Sequence, residues 1–187
     1  MSGEDLEFLN YFHTFAPVNE IEDAGPLSFF METMDKERIL QVVEPEAAGR
    51  GCFVVEVSVS ATNDIEIVIE KEEGSVDWED CAAIDKVVHE AFDQDVEDYA
   101  LTVSSAGLDR PFKVLRQYQK ALGSQVDVKF RGGKRLIATL IAATEESVTL
   151  HYTALEAVEG KKKEKVEHED CFALADINSV TPYVEFK

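Results

Sequence analysis

The chain has 187 residues, 45% of them apolar and 11 of them Phe, which is enough for one large or two small globular cores and too much for a disordered chain. Its 38 acidic and 18 basic residues give a formal net charge of −20, which excludes a protein that coats nucleic acid with its whole surface. No apolar run approaches the roughly 18–20 residues of a membrane span. The acidic start (Glu4, Asp5, Glu7) is the opposite of a basic secretory leader, so a cytoplasmic protein without a membrane partner is expected.

The charge is not evenly spread. Residues 1–100 hold 5 Lys/Arg against 26 Asp/Glu, and residues 101–187 hold 13 against 12. Between Arg110 and Arg135 there are eight basic residues and one acid, Asp127. Cys52, Cys81 and Cys171 are far apart and form no Cys-x-x-Cys, so no disulfide framework or metal site is expected, only small buried side chains.

Residues 1–34 read as a weakly ordered extension. LEFLNYFHTF could be a short amphipathic helix that docks through Phe8, Tyr11, Phe12 and Phe15, but Pro17 and Gly25-Pro26 interrupt the chain beyond it. From Asp35, an N-cap residue, Ile39, Leu40, Val42 and Val43 give a helix an apolar face, with Pro45 and Gly49 to Gly51 ending it. Phe53, Val55, Val57 and Val59 alternate with Val54, Glu56, Ser58 and Ser60, a first strand. After the turn residues Thr62-Asn63-Asp64, Ile65, Ile67 and Ile69 alternate in a second, antiparallel strand. Asp77 to Asp80 open a second helix, whose face is Cys81, Ile84, Val88, Ala91 and Phe92. Tyr99, Leu101 and Val103 make a third strand. Residues 35–104 thus form an acidic α-β-β-α-β domain, an antiparallel-rich sheet with two helices on one face.

The pattern breaks at Ser104-Ser105-Ala106-Gly107, a turn cluster in which Gly107 is free to take positive φ. Pro111 keeps Arg110 extended, so residues 105–111 read as a short stiff connector. A second domain, 112–187, opens with a helix over Phe112–Leu122 and continues with five short strands. Gly132-Gly133 serves as a two-residue hairpin turn, and residues 156–164 form a polar loop. The even spacing suggests a small SH3-like or Sm-like barrel, making the whole an α+β protein of two domains.

The junction Val103-Ser104-Ser105-Ala106-Gly107-Leu108-Asp109-Arg110-Pro111 resembles the signature of the RimP family, bacterial ribosome maturation factors, with Ala106 where proline is usual. The resemblance covers about Asp35 to Lys187 and rests on Ser104, Ser105, Gly107, Leu108, Asp109, Arg110 and Pro111. It implies a monomeric, non-catalytic protein without cofactor, an α/β domain followed by an Sm-like barrel. It implies binding to the free 30S subunit, touching 16S rRNA and a basic small-subunit protein near the decoding centre. Relatives commonly begin near Met34, which makes residues 1–33 either a start-site artefact or a lineage-specific tail. Asp109 and Arg110 would set domain orientation, as an ion pair or by hydrogen bonds to the connector.

Catalytic chemistry finds little support. The four His share no motif with any Cys or carboxylate, and Glu167-His168-Glu169-Asp170 alternates across a strand. The basic run stands out. Arg110, Lys113, Arg116 and Lys120 fall on one side of the predicted short helix, and Lys129, Arg131, Lys134 and Arg135 flank the Gly-Gly turn. Such clusters fit phosphate contacts that position a protein on RNA, or else neutralise the acidic domain. Two rivals remain. A general RNA chaperone would need exposed aromatics, and Phe130 and Tyr152 look like core. An enzyme could bind a divalent cation at Glu66, Glu70, Glu72 and Glu73, with nothing else supporting turnover.

Overall fold

Helix α1 (Lys36–Gly49) starts at Asp35, whose Oδ1 accepts the Glu37 N–H at 2.9 Å. The computed structural model describes residues 34–156 and 164–184, which lie within one compact unit, Glu32–Lys187. The expected N-terminal extension and most of the polar loop fall outside the described residues. Pro45 does not end α1 as expected, because Val43 and Ala47 on either side of it are buried and offset the one backbone bond it cannot make. Instead the Arg50 N–H closes on the Glu46 and Ala47 carbonyls, and Gly51, at φ +67°, turns the chain into the sheet.

Strands β1 (Cys52–Val59) and β2 (Asp64–Lys71) pair antiparallel, with Asn63 in the turn accepting the Met34 N–H at 3.0 Å. The chain then crosses over through α2 (Trp78–Ala91) and a short α3 (Gln94–Glu97). It returns as β3 (Ala100–Ser105), parallel to β2. The sheet, in the order β1-β2-β3, is therefore mixed. A crossover helix is what allows a parallel neighbour. Ile39 and Val43 of α1, Ile84 and Val88 of α2, and Val57, Ile65, Ile67 and Ile69 of the strands form its core.

The expected alternation of β1 holds only in pieces. Val54 pairs with Ile69 and Glu56 with Val68, so Val55 is bulged out of the ladder. The extra residue resets the parity. Cys52, Val54, Val57 and Val59 face the helices, while Phe53 and Val55 face the opposite side. That side is also buried, with Phe53, Val55 and Val68 packed against Ala106 and Val114.

The chain continues through α4 (Leu115–Lys120), β4 (Gln125–Phe130), β5 (Arg135–Ala143), β6 (Ser147–Glu156), β7 (Glu164–Ala173), a 3-10 turn (Leu174–Asp176) and β8 (Ile177–Pro182). The five strands form one antiparallel sheet in the order β7-β6-β5-β4-β8. Its core is Tyr118, Val126, Val128, Leu140, Val148, Leu150 and Val180. The class is α+β, as expected, but among the described residues no pairing joins the edge strands β7 and β8, so the sheet is not closed into a barrel by hydrogen bonds. Helix α4 is shorter than the predicted Phe112–Leu122. The Phe112 N–H is committed to the Val180 carbonyl at 2.8 Å, and Leu122 stays exposed. The β4–β5 turn exceeds two residues: Phe130 and Lys134 close it, with Gly133 at φ +81°. Of the cysteines expected to be buried, Cys52 is, whereas Cys81 is half-buried and Cys171 exposed.

Candidate functional site

The eight cations of the basic run occupy two unlike environments. Arg110, Lys113, Arg116 and Lys120 lie against the outer face of the three-stranded sheet, whose bulge and alternation put Glu56, Glu66 and Glu70 on that face. Arg110 pairs with Glu66 at 3.0 Å, Lys113 with Glu56, Arg116 with Glu72 at 2.9 Å and Lys120 with Glu70 at 3.1 Å. Arg116 also lies over the Phe53 ring, 5.3 Å from its centroid. Lys120 donates further to the Lys71 and Gly74 carbonyls at 2.8 and 3.0 Å. Only Arg116 and Lys120 belong to α4, so the seam is set by the extended connector as much as by helical spacing.

These contacts answer two expectations. Arg110 does not pair with Asp109; it spans the seam to Glu66. Glu66, Glu70 and Glu72 of the suggested divalent-cation cluster each take a protein cation. Of the junction motif, Ser104 and Ser105 finish β3, Gly107 takes φ +72°, and Leu108 is exposed beside Asp109, Arg110 and Pro111. Ser105, Ala106, Gly107 and Leu108 line a cavity of about 390 Å³ together with Phe112, Gln117 and Pro182.

The remaining four cations gather at the β4–β5 turn, away from the acidic sheet. Lys129 stands opposite Arg135 across the ladder and opposite Ser179 on β8. Arg135 grips Asp127 with two hydrogen bonds, Nε to Oδ1 at 2.7 Å and an Nη to Oδ2 at 2.6 Å. That grip holds the Asp127 carboxyl below its ordinary value and raises the guanidinium further. The Arg131 N–H donates to the Asp176 carbonyl at 2.9 Å, and Lys134 lies 5.9 Å from the Phe130 ring centroid. Among the described residues, Lys129 and Arg131 have no ion-pair partner. With Phe130, Gly133, Arg135 and Asn178 they line an open cleft of about 490 Å³.

Two groups escape sequence reasoning. Gln117, only 3% exposed, accepts the Lys113 N–H at 2.7 Å and donates to Glu70 at 2.8 Å, so it fixes both the start of α4 and the seam. It stands between the exposed Arg116 and the core residue Tyr118, and no spacing marks it. Asp80 is also 3% exposed and joins three elements: Lys71 donates at 2.7 Å, Arg50 at 3.2 Å and the Asp77 N–H at 3.2 Å. Asp77 to Asp80 were expected to open α2, but neither the capping box that Asp80 forms with Asp77 nor its burial was read from the sequence.

Comparison with known proteins finds relatives over most of the chain. The model of the RimP N-terminal domain matches residues 42–109. "Ribosome maturation factor RimP" of Porphyromonas gingivalis strain W83 is 30% identical over 145 residues, 77% of this chain and 95% of that protein. The protein of the same name from Flavobacterium psychrophilum is 28% identical over 153 residues, covering 81% and 98%. That of Christiangramia forsetii is 30% identical over 146 residues, covering 77% and 94%.

Proposed function

The chain belongs to the RimP family of ribosome maturation factors, and on that premise we propose that it binds the free 30S subunit during assembly and leaves the finished one. It acts without catalysis and without a cofactor, as a cytoplasmic monomer of two domains, 35–104 and 112–187, joined by 105–111. The single observation that carries the contact is the basic cluster at the β4–β5 turn, which no acidic face of the same chain covers among the described residues. This cluster touches 16S rRNA. The acidic surface of the first domain faces a basic small-subunit protein near the decoding centre, steered by opposite charge. Among the described residues no helix is long and apolar enough to cross a membrane.

Co-sedimentation with purified 30S and 50S subunits and 70S ribosomes, at low and moderate salt, tests this. Selective recovery with 30S, weakened by salt, is expected. Equal recovery with every particle and with bare RNA would favour a general RNA chaperone instead. Against that alternative, Phe130 packs edge-to-face on Phe172 at 5.0 Å, and Tyr152 stacks on His168 at 5.3 Å.

A further inference from the structure

We propose that the cleft at the β4–β5 turn is a phosphodiester site that takes RNA backbone without reading its bases. The proposal rests on the ribosome-maturation reading and deepens it by naming the ligand chemistry and dividing the basic run into two roles.

Three features argue for backbone recognition. The first is charge left over. Asp127, the one acid on β4, is gripped by Arg135 and also feels Lys129, and neither Lys129 nor Arg131 has a carboxylate at ion-pair distance among the described residues. The second is pre-organisation. Arg135 is held by two bonds to a carboxylate side chain only 10% exposed, yet its own side chain is 61% exposed, so the guanidinium is held in place and still open to solvent. Arg131 is fixed through its backbone to the 3-10 turn, and Gly133 contributes no side chain to narrow the mouth. The Arg135 guanidinium and the Arg131 backbone are thus placed before a ligand arrives, which lowers the ordering cost of binding.

The third feature is that the aromatic ring lining the cleft is already engaged. Base-stacking proteins lay nucleobases on exposed aromatic faces. Here the aromatic ring of the cleft, Phe130, has Lys134 over it and Phe172 against its edge. The groups left for a ligand are ammonium and guanidinium donors and the amide of Asn178. Those groups bind phosphate oxygens, and phosphate contacts position a protein on RNA without carrying sequence information. The four seam cations are set apart from this role because Glu56, Glu66, Glu70 and Glu72 match them one for one, whereas the four cations of the cleft face the single acid Asp127.

The test measures fluorescence anisotropy of labelled single-stranded RNAs of about 12 nucleotides, a length that spans such a site. The full chain is compared with Lys129→Glu/Arg131→Glu, with the milder Lys129→Gln/Arg131→Gln, and with the seam variant Arg116→Gln. The wild type is expected to bind mixed-sequence, oligo(A) and oligo(U) RNA within about threefold of one another. Each phosphate contact on a single strand contributes about 0.7 to the slope of log affinity against log salt, so the Gln pair should lower that slope by about 1.4. The Glu pair should bind at least tenfold more weakly, and Arg116→Gln should stay within about twofold, since it faces the sheet. Unchanged binding by both cleft variants would overturn the site, as would a strong preference for one base. The same variants are carried through co-sedimentation. A wild type that binds 30S beside cleft variants that bind it equally well overturns the cleft and leaves the maturation reading standing. A wild type that binds no subunit overturns the maturation reading, and the RNA titration then decides the cleft by itself.

Discussion

Gln117 and Glu70 are joined across the seam by a 2.8 Å hydrogen bond, while the other end of the same Gln117 amide accepts the Lys113 N–H at the start of α4. One buried side chain thus links the fold of the helix to its place on the acidic sheet. Gln117→Ala removes both links, leaving the part-buried Lys113 N–H and one Glu70 oxygen without this partner while Lys120 still holds Glu70, at a cost of about 1 kcal/mol. Gln117→Glu keeps the acceptor but sets a carboxylate against Glu70. Urea unfolding of both variants should place each below the wild type, with the Glu variant recovering as the pH is lowered.

The seam ion pairs are partly exposed, and each contributes little alone. A double-mutant cycle on Arg110 and Glu66 should give a coupling of about 0.5 kcal/mol at low salt that fades at high salt. Lys120→Met should cost more than Arg110→Met, because Lys120 also satisfies the Lys71 and Gly74 carbonyls. Equal losses for the two would contradict the geometry.

Asp80 sets the acid limit. The hydrogen bond from Lys71, with those from the Asp77 backbone and Arg50, holds its carboxyl below the ordinary value despite its burial. The unfolded chain therefore binds a proton that the folded chain refuses. The stabilisation is complete above the unfolded carboxylate value of about 3.9 and is lost as the pH falls through the lower folded value. Asp80→Asn should remove that component of the acid transition. It should also destabilise the protein at neutral pH by about 3 kcal/mol, because a buried charged partner is deleted. Thermal melts followed from neutral pH down through and below the unfolded carboxylate value read both effects.

Gly107 is the one connector residue whose backbone demands glycine. At φ +72° a side chain is strained, and a Cβ would also lie 3.1 Å from Asp109 Oδ1. Gly107→Ala should cost about 1 kcal/mol, seen as a lower melting midpoint with unchanged secondary structure by circular dichroism. A variant as stable as the wild type would show that the connector relaxes to another path.

The periodicity of Ile65, Ile67 and Ile69 and the helical spacing of Ile84 and Val88 carried most of the first core, because buried isoleucine and valine at fixed periods have few other uses. The bulge at Val55 was not legible, since Val-Val-Glu-Val reads equally well as unbroken alternation, and so the buried outer face of the sheet was missed with it. The basic run was legible as charge but not as direction. Whether Arg116 points at solvent or at Glu72 depends on where the chain travels after Pro111, and spacing along the chain does not encode that path. The parallel pairing of β3 depended in the same way on where the crossover returned.

The outer face of the first sheet has a consequence for how the protein is made. Phe53, Val55 and Val68 are sheltered by Ala106 and Val114, residues that lie after the strands they cover. During synthesis, residues 34–105 leave the exit tunnel first, and their sheet stays uncovered on one side until the next dozen residues emerge. The connector and α4 then act as a built-in chaperone for the half that precedes them. A chain cut at Ser105 would keep that greasy side and self-associate, while one extended through Lys120 would carry its own cover.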